Sequence, residues 1–331
     1  MLINQLTLIN FLSTVRPANS AGEHTHTENI IQLCLTLGYQ PTTDGYGNVI
    51  VNNLKDTDSR VMFTSHTDSI HRGKNLPSTQ AIKIVDGMVK LDYAKSPTST
   101  CLGADDATGN YIMLRLLQAN VPGIYCFFRD EEVGGLGSQY FRDSKANAEL
   151  LESLTHCISF DRKGYDSIIT SQFNGTCASD EFAYALADII YDADVSKTLK
   201  FEPDPTGSFT DSANFDDVIP ECTNLSVGYF DQHMVKESQD LEFVEKLCLA
   251  LTAMDWTTLP VYRDPSKRDD VWGYSKGGYD AYSTYDDFDN RALREHDDVL
   301  YELYIGGYDY ALELVLNQPE LAAELLDKLN R

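Results

Sequence analysis

Five residues of metal-ligand type follow one another along this 331-residue chain: His66, Asp105, Glu132, Asp161 and His233. They sit in the segments FTSHTDS (63–69), CLGADDATG (101–109), FFRDEEVGGLGS (127–138), ISFDRKG (158–164) and LSVGYFDQH (225–233), each placing an acid or imidazole just after an apolar run. Two divalent cations held close together need one carboxylate that bridges them, and for each ion one imidazole and one further carboxylate that leave room for water. Two His and three acids meet that count. On this reading Asp105 bridges, His66 with Asp161 holds one ion, and Glu132 with His233 holds the other. The chemistry expected of such a centre is hydrolysis.

Two further carboxylates stand beside ligands. Asp68 lies two residues after His66, so on an extended backbone both side chains leave the same face and the acid can orient the imidazole without binding metal. Glu131 precedes Glu132, within reach of a water on the metal yet not itself consumed as a ligand, which suits a general base.

These residues resemble the co-catalytic di-zinc exopeptidases, the aminopeptidase-like family that includes tripeptide aminopeptidase, over roughly residues 5–257, with GADD and DEEVG the most specific words. The resemblance implies metal sites at His66, Asp105, Glu132, Asp161 and His233, and catalytic roles for Asp68 and Glu131. It implies two zinc ions, with cobalt or manganese as possible replacements, and a hydroxide bridging them that attacks an amide carbonyl while Glu131 carries the proton to the leaving amine. Family members with a lid or dimerisation domain insert it between the first and second ligands or between the fourth and fifth. Both gaps are short here, which predicts one catalytic domain without an inserted lid and recognition of a free amino end of a short peptide. A related deacylase acting on N-acyl amino acids is one alternative, and a non-catalytic protein working through its C-terminal tail is another.

Other candidates carry weaker signals. His71 follows the HTD triplet closely and is a candidate to line the site as a ligand, set against a supporting or surface histidine, and His24, His26, His156 and His296 have no partner pattern. In GSFTDSANF (207–215), Asp211 and Ser212 are candidates for contact with the substrate end group, the competing reading being a helix N-cap. Tyr229, four residues before His233, is a candidate to hydrogen-bond the tetrahedral intermediate, set against a buried strand tyrosine.

The elements that must hold these residues alternate. Helical patterns at about 2–15, 25–38, 105–120, 178–192 and 239–257 are interleaved with strand-like runs at about 48–53, 60–65, 123–128, 156–160 and 222–229. A hairpin over 81–93 turns at Asp86-Gly87. This predicts an α/β fold with a central mixed, mostly parallel sheet and helices on both faces, ligands lying at the carboxyl ends of strands. Residues 1–257 form the expected catalytic domain. A Tyr/Asp/Gly-rich linker spans 258–295, and an amphipathic helical pair over 296–331 either docks onto the body or pairs with a protein partner or a second copy.

Composition bounds the partners. With 51 acidic and 26 basic residues the net charge is −25 and the sequence pI near 4.5, which argues against nucleic acid and favours cationic substrate ends. Seven cysteines without a CxxC spacing fit a reducing compartment. The apolar start MLINQLTLINFLSTV lacks a basic leader and reads as a helix, and no run approaches the roughly 20 apolar residues that cross a bilayer. A cytoplasmic protein without a membrane partner is expected.

Overall fold

A computed structural model describes residues 2–54, 59–173 and 175–267. The part of the linker beyond 267 and the C-terminal helical pair lie outside the described residues. The strands are β1 (Thr42–Thr43), β2 (Val49–Asn52), β3 (Val61–His66), β4 (Ile82–Val85), β5 (Met88–Leu91), β6 (Ile124–Phe128), β7 (His156–Arg162), β8 (Ser167–Ile169), β9 (Ser171–Gln172), β10 (Gly175–Thr176), β11 (Glu202–Asp204), β12 (Glu221–Ser226), β13 (Tyr229–Phe230) and β14 (Ser238–Asp240). The helices are α1 (Gln5–Leu12), α2 (Ala21–Thr36), α3 (Ala104–Gln118), α4 (Leu136–Asp143), α5 (Ala148–Ser153), α6 (Asp180–Ala193) and α7 (Leu241–Ala253).

Eight strands form the main sheet in the order β1-β2-β6-β3-β7-β12-β8-β11. The centre, β6-β3-β7-β12, is parallel, and antiparallel pairing begins outward at β2 on one side and β8 on the other. The mixed, mostly parallel sheet read from the sequence is therefore what forms. Alternation along the strands splits the core in two, because successive side chains leave opposite faces. Phe63, Tyr125, Phe127, Ile158 and Phe160 meet α1, α2, α3, α6 and α7 on one face. Met62, Ile124, Cys126, Phe128, Cys157 and Cys222 meet α4, α5 and a 3-10 turn (Asp211–Phe215) on the other. All seven cysteines are free and buried, filling space as small hydrophobes.

A second sheet, β13-β14-β5-β4, is small and antiparallel. The hairpin expected at Asp86-Gly87 is its β4-β5 pair, and β14 joins it through Gln239 opposite Val89.

Local differences from the sequence reading have simple causes. α2 begins at Ala21 rather than near 25, because Ser20 accepts a hydrogen bond from the Glu23 N–H and caps it four residues earlier. Helices α4 and α5 were not expected; they are eight and six residues long, too short for periodicity to reveal. The first residues of the expected linker follow the body: the N–H groups of Tyr262 and Arg263 both donate to buried Glu221 Oε1, at 2.8 and 2.9 Å.

Helix α3 lies over β3 and β7, and one glycine permits its approach. A Cβ on Gly109 would fall 2.5 Å from both carboxylate oxygens of Asp106 and 2.7 Å from the Phe160 carbonyl oxygen. The Gly109→Ala variant is expected to lose about 1–3 kcal/mol through overpacking, read as a lowered urea midpoint with unchanged slope.

Candidate metal centre

Three of the five candidate ligands sit at the carboxyl ends of adjacent parallel strands. His66 is the last residue of β3, Asp161 the sixth of β7, and Glu132 lies four residues past β6. The other two arrive differently. Asp105 is at the start of α3, and His233 is on the loop between β13 and β14 of the small sheet, with a left-handed backbone (φ 64°).

The structure brings all five together. Asp105 offers one oxygen to each imidazole: Oδ1 is 2.9 Å from His66 Nε2 and Oδ2 is 3.2 Å from His233 Nε2. Glu132 Oε1 is 3.2 Å from the same His233 nitrogen, and Asp161 Oδ1 is 3.8 Å from His66 Nε2. Ligand atoms of His66, Asp105 and Glu132 lie within 4.8 Å of one another, as do those of His66, Asp106 and Asp161. Asp106 is spent elsewhere, since its two oxygens accept the backbone N–H groups of Gly109 and His66 at 2.8 and 3.2 Å.

The donor set fits divalent metal. Glu132 Oε1 and His233 Nε2 are buried and face each other without a well-formed hydrogen bond, whereas buried polar atoms are ordinarily paired. Imidazole and carboxylate donors converging on shared points are the ligands zinc prefers. The charge balance agrees: six carboxylates, Asp68, Asp105, Asp106, Glu131, Glu132 and Asp161, crowd two imidazoles.

That crowding governs protonation. Burial alone would raise Asp105, but the facing imidazoles of His233 and His66 hold its carboxyl far below the usual range. Burial would lower both imidazoles, yet the facing acids lift them well above it: Asp105, Asp161 and Asp68 for His66, and Glu132 and Asp105 for His233. Burial pushes Glu131 well above its ordinary value, with the Glu132 and Asp161 charges adding to it.

Each ligand segment has a buried anchor. Asp68 stands 3.3 Å from His66 Nδ1 and accepts the backbone N–H groups of Glu131 and Glu132, both at 3.1 Å, so one acid ties the exit of β3 to the turn after β6. Asp130, also left-handed (φ 58°), accepts from Asn19 and from the Tyr46 hydroxyl at 2.6 Å. Asn224 clasps the backbone of Asp161 through both its N–H and its carbonyl, and Thr210 donates to Asp161 Oδ2 at 2.7 Å. Arg16, fully buried, donates to the carbonyls of Thr67 and Gly103 at 3.1 and 2.7 Å, linking the segments that carry His66 and Asp105.

Among the substrate-contact candidates, Tyr229 is buried and its hydroxyl donates to Asp161 Oδ1 at 3.0 Å. Ser212 is buried in the 3-10 turn, bonded to Gln172 and Ser159. Asp211 is 1% exposed with no hydrogen bond to either oxygen, and burial, with Asp161 and Asp68 close by, pushes its carboxyl up to about 7. His71 takes no part in the cluster: Ser69 and Gln80 occupy its ring nitrogens. His26 packs against the Phe11 ring and His156 faces the Pro260 carbonyl. Arg16, Asp106 and Asn224 went unread in the sequence, and Thr210 entered it only as a helix N-cap. Of those unread, only Asp106 carried a signal, as the second acid of GADD.

No family model and no curated protein sequence matches this chain. Solved structures do. The aminopeptidase PepT of Bacillus cereus aligns with a TM-score of 0.58 at 16% identity, covering 77% of this chain and 99% of that one. The TET1 peptidase of Pyrococcus horikoshii, which assembles into a tetrahedron or a large octahedral shell, aligns with 0.56 at 15% identity, covering 75% and 98%. A glutaminyl cyclase of Bacteroides thetaiotaomicron aligns with 0.52 at 15% identity, covering 76% and 95%. The chain thus has a zinc-aminopeptidase-like fold, one shared by proteins of more than one named activity, and its clustered His, Asp and Glu donors could hold divalent metal.

Burial, and then the charge of Arg16, lower the His71 imidazole from 6.5 to about 3. The unfolded chain takes up that proton near 6.5 and the folded chain does not, so the contribution is complete above 6.5 and is lost as pH falls toward 3. His71→Gln is expected to flatten the fall in stability over that window by about 1.4 kcal/mol per pH unit, measured as urea midpoints of both proteins at several pH values. Parallel pH profiles would contradict it.

Proposed function

We propose that the chain is a metal-dependent exopeptidase that releases residues from the free amino end of short peptides. The observation that carries this reading is Asp105 reaching one imidazole with each oxygen, with Glu131 beside them but outside both ligand pairs. His66 and Asp161 would hold one divalent ion and Glu132 and His233 the other, with Asp105 common to both, and zinc is the natural choice for such donors. When bound, the ions supply Lewis-acid polarisation of the scissile carbonyl and a water acidified toward neutral pH.

The remaining work falls to the chain itself. Glu131 Oε2, 3.9 Å from His66 Nε2, stands where it can accept the proton of the attacking water and return it to the leaving amine. Asp68 orients His66 and, through the two N–H groups it accepts, fixes how Glu131 and Glu132 diverge. Asp161 is oriented by Thr210 and Tyr229. The surplus of carboxylates favours a substrate whose reacting end is an ammonium group, as a peptide amino terminus is.

A leucyl peptide offered to zinc-loaded protein with a free or an acetylated amino end tests the reading. Cleavage of the free form is expected, while cleavage of the acetylated form alone would replace the proposal with deacylase chemistry. Glu131→Gln should keep its metal content yet lose about 10²–10⁴-fold in turnover. Retained turnover in that variant would remove the assigned role.

A further inference from the structure

Glu237 is fully buried, and all four hydrogen bonds to its carboxylate come from backbone N–H groups of one turn. Its Oε2 accepts from Leu102 and Gly103 at 2.8 and 2.9 Å, and its Oε1 accepts from Ala104 and Asp105 at 2.7 and 3.2 Å. That turn delivers Asp105. Glu237 itself lies four residues after His233 on the β13–β14 loop, where its own N–H donates to the Met234 carbonyl at 3.0 Å and closes the short stretch between them. Two segments more than a hundred residues apart in sequence, one bearing Asp105 and the other His233, are joined by this single carboxylate.

We infer that Glu237 is a positioning residue that sets the separation of Asp105 and His233, and through it the affinity of the cation position those two share with Glu132. The inference rests on the metal-centre reading above. Only a carboxylate meets the demand, because each of its oxygens must accept two N–H groups. An amide at the same place turns one acceptor into an NH₂ donor pointing at two N–H donors. The turn must then move away, carrying the backbone of Asp105; the position held by His66 and Asp161 shares that carboxylate but keeps the anchors of Asp161, namely Asn224, Thr210 and Tyr229, and is the less affected of the two.

The test is calorimetric titration of zinc into the metal-free full-length protein, comparing wild type, Glu237→Gln and Glu237→Asp with Glu245→Gln. That last change breaks the distant pair of Arg115 with Glu245, whose closest separation is 2.9 Å, and serves as a control for a merely destabilised fold. One of two zinc-binding steps should weaken by about 10–100-fold in Glu237→Gln, the other holding within roughly threefold. Glu237→Asp keeps the charge but is one methylene short, and should show a smaller loss in the same step. It serves as the readout if the glutamine variant does not fold. Two unchanged steps, two equally weakened steps, or the same pattern in Glu245→Gln would overturn the inference while leaving the metal centre intact. A wild type that takes up no zinc would overturn both.

Discussion

Six carboxylates brought within a few ångströms, most of their surface withdrawn from water, repel one another strongly, and the rest of the site is arranged around that repulsion. At the charge separations involved, each like-charged pair costs more in the interior than it would in water. The two imidazoles answer part of it, and backbone dipoles answer more: Asp68 and Asp106 each accept two main-chain N–H groups. Arg16 supplies a full positive charge beneath the cluster without forming an ion pair with a single acid among the bonds it makes, donating to carbonyls instead. What these leave uncompensated is the charge that divalent cations would neutralise.

This arrangement explains why the ligands come from so many elements. Strand ends supply His66, Asp161 and the turn bearing Glu132 with little freedom, since β6, β3 and β7 are neighbours in register. Asp105 and His233 lack that support and are held by other means. Asp105 rides on α3, pressed to the sheet at Gly109, and His233 rides on a loop of the small antiparallel sheet, whose attachment runs through β14 and β5. The hairpin at Asp86-Gly87, which carries none of the candidate ligands, therefore bears on where the last ligand stands.

How much of this could be read in advance follows from what leaves a trace in residue types. An imidazole or acid at the end of an apolar run is visible, so all five candidate ligands, Asp68 and Glu131 were legible, and so was a mostly parallel sheet. The placement of His233 was not, because the apolar run up to Tyr229 reads as one strand, whereas the chain breaks at Val227-Gly228 and passes from β12 of the main sheet to β13 of the small one. Arg16, Asn224 and Glu237 act on carbonyl and amide groups that every residue possesses, so their partners write nothing into the sequence. Thr210 read as a helix cap; its hydroxyl turned instead to Asp161, a charged acceptor being the stronger partner.

The adjacent pair Glu131 and Glu132 shows the same point at its sharpest. By residue type the two are interchangeable, and by spacing either could be a ligand. What separates them is the turn they share. Asp68 takes both of their N–H groups, Asp130 before them is held left-handed by Asn19 and Tyr46, and the Glu131 carbonyl accepts the N–H groups of Gly134 and Gly135 at 2.9 Å. With the backbone locked on both sides, one carboxylate is directed to His233 and the other toward His66. If Glu132 holds a cation and Glu131 moves a proton, as proposed, the difference between those roles resides in main-chain hydrogen bonds around the pair, and a substitution that loosened them would blur the two roles without touching either side chain.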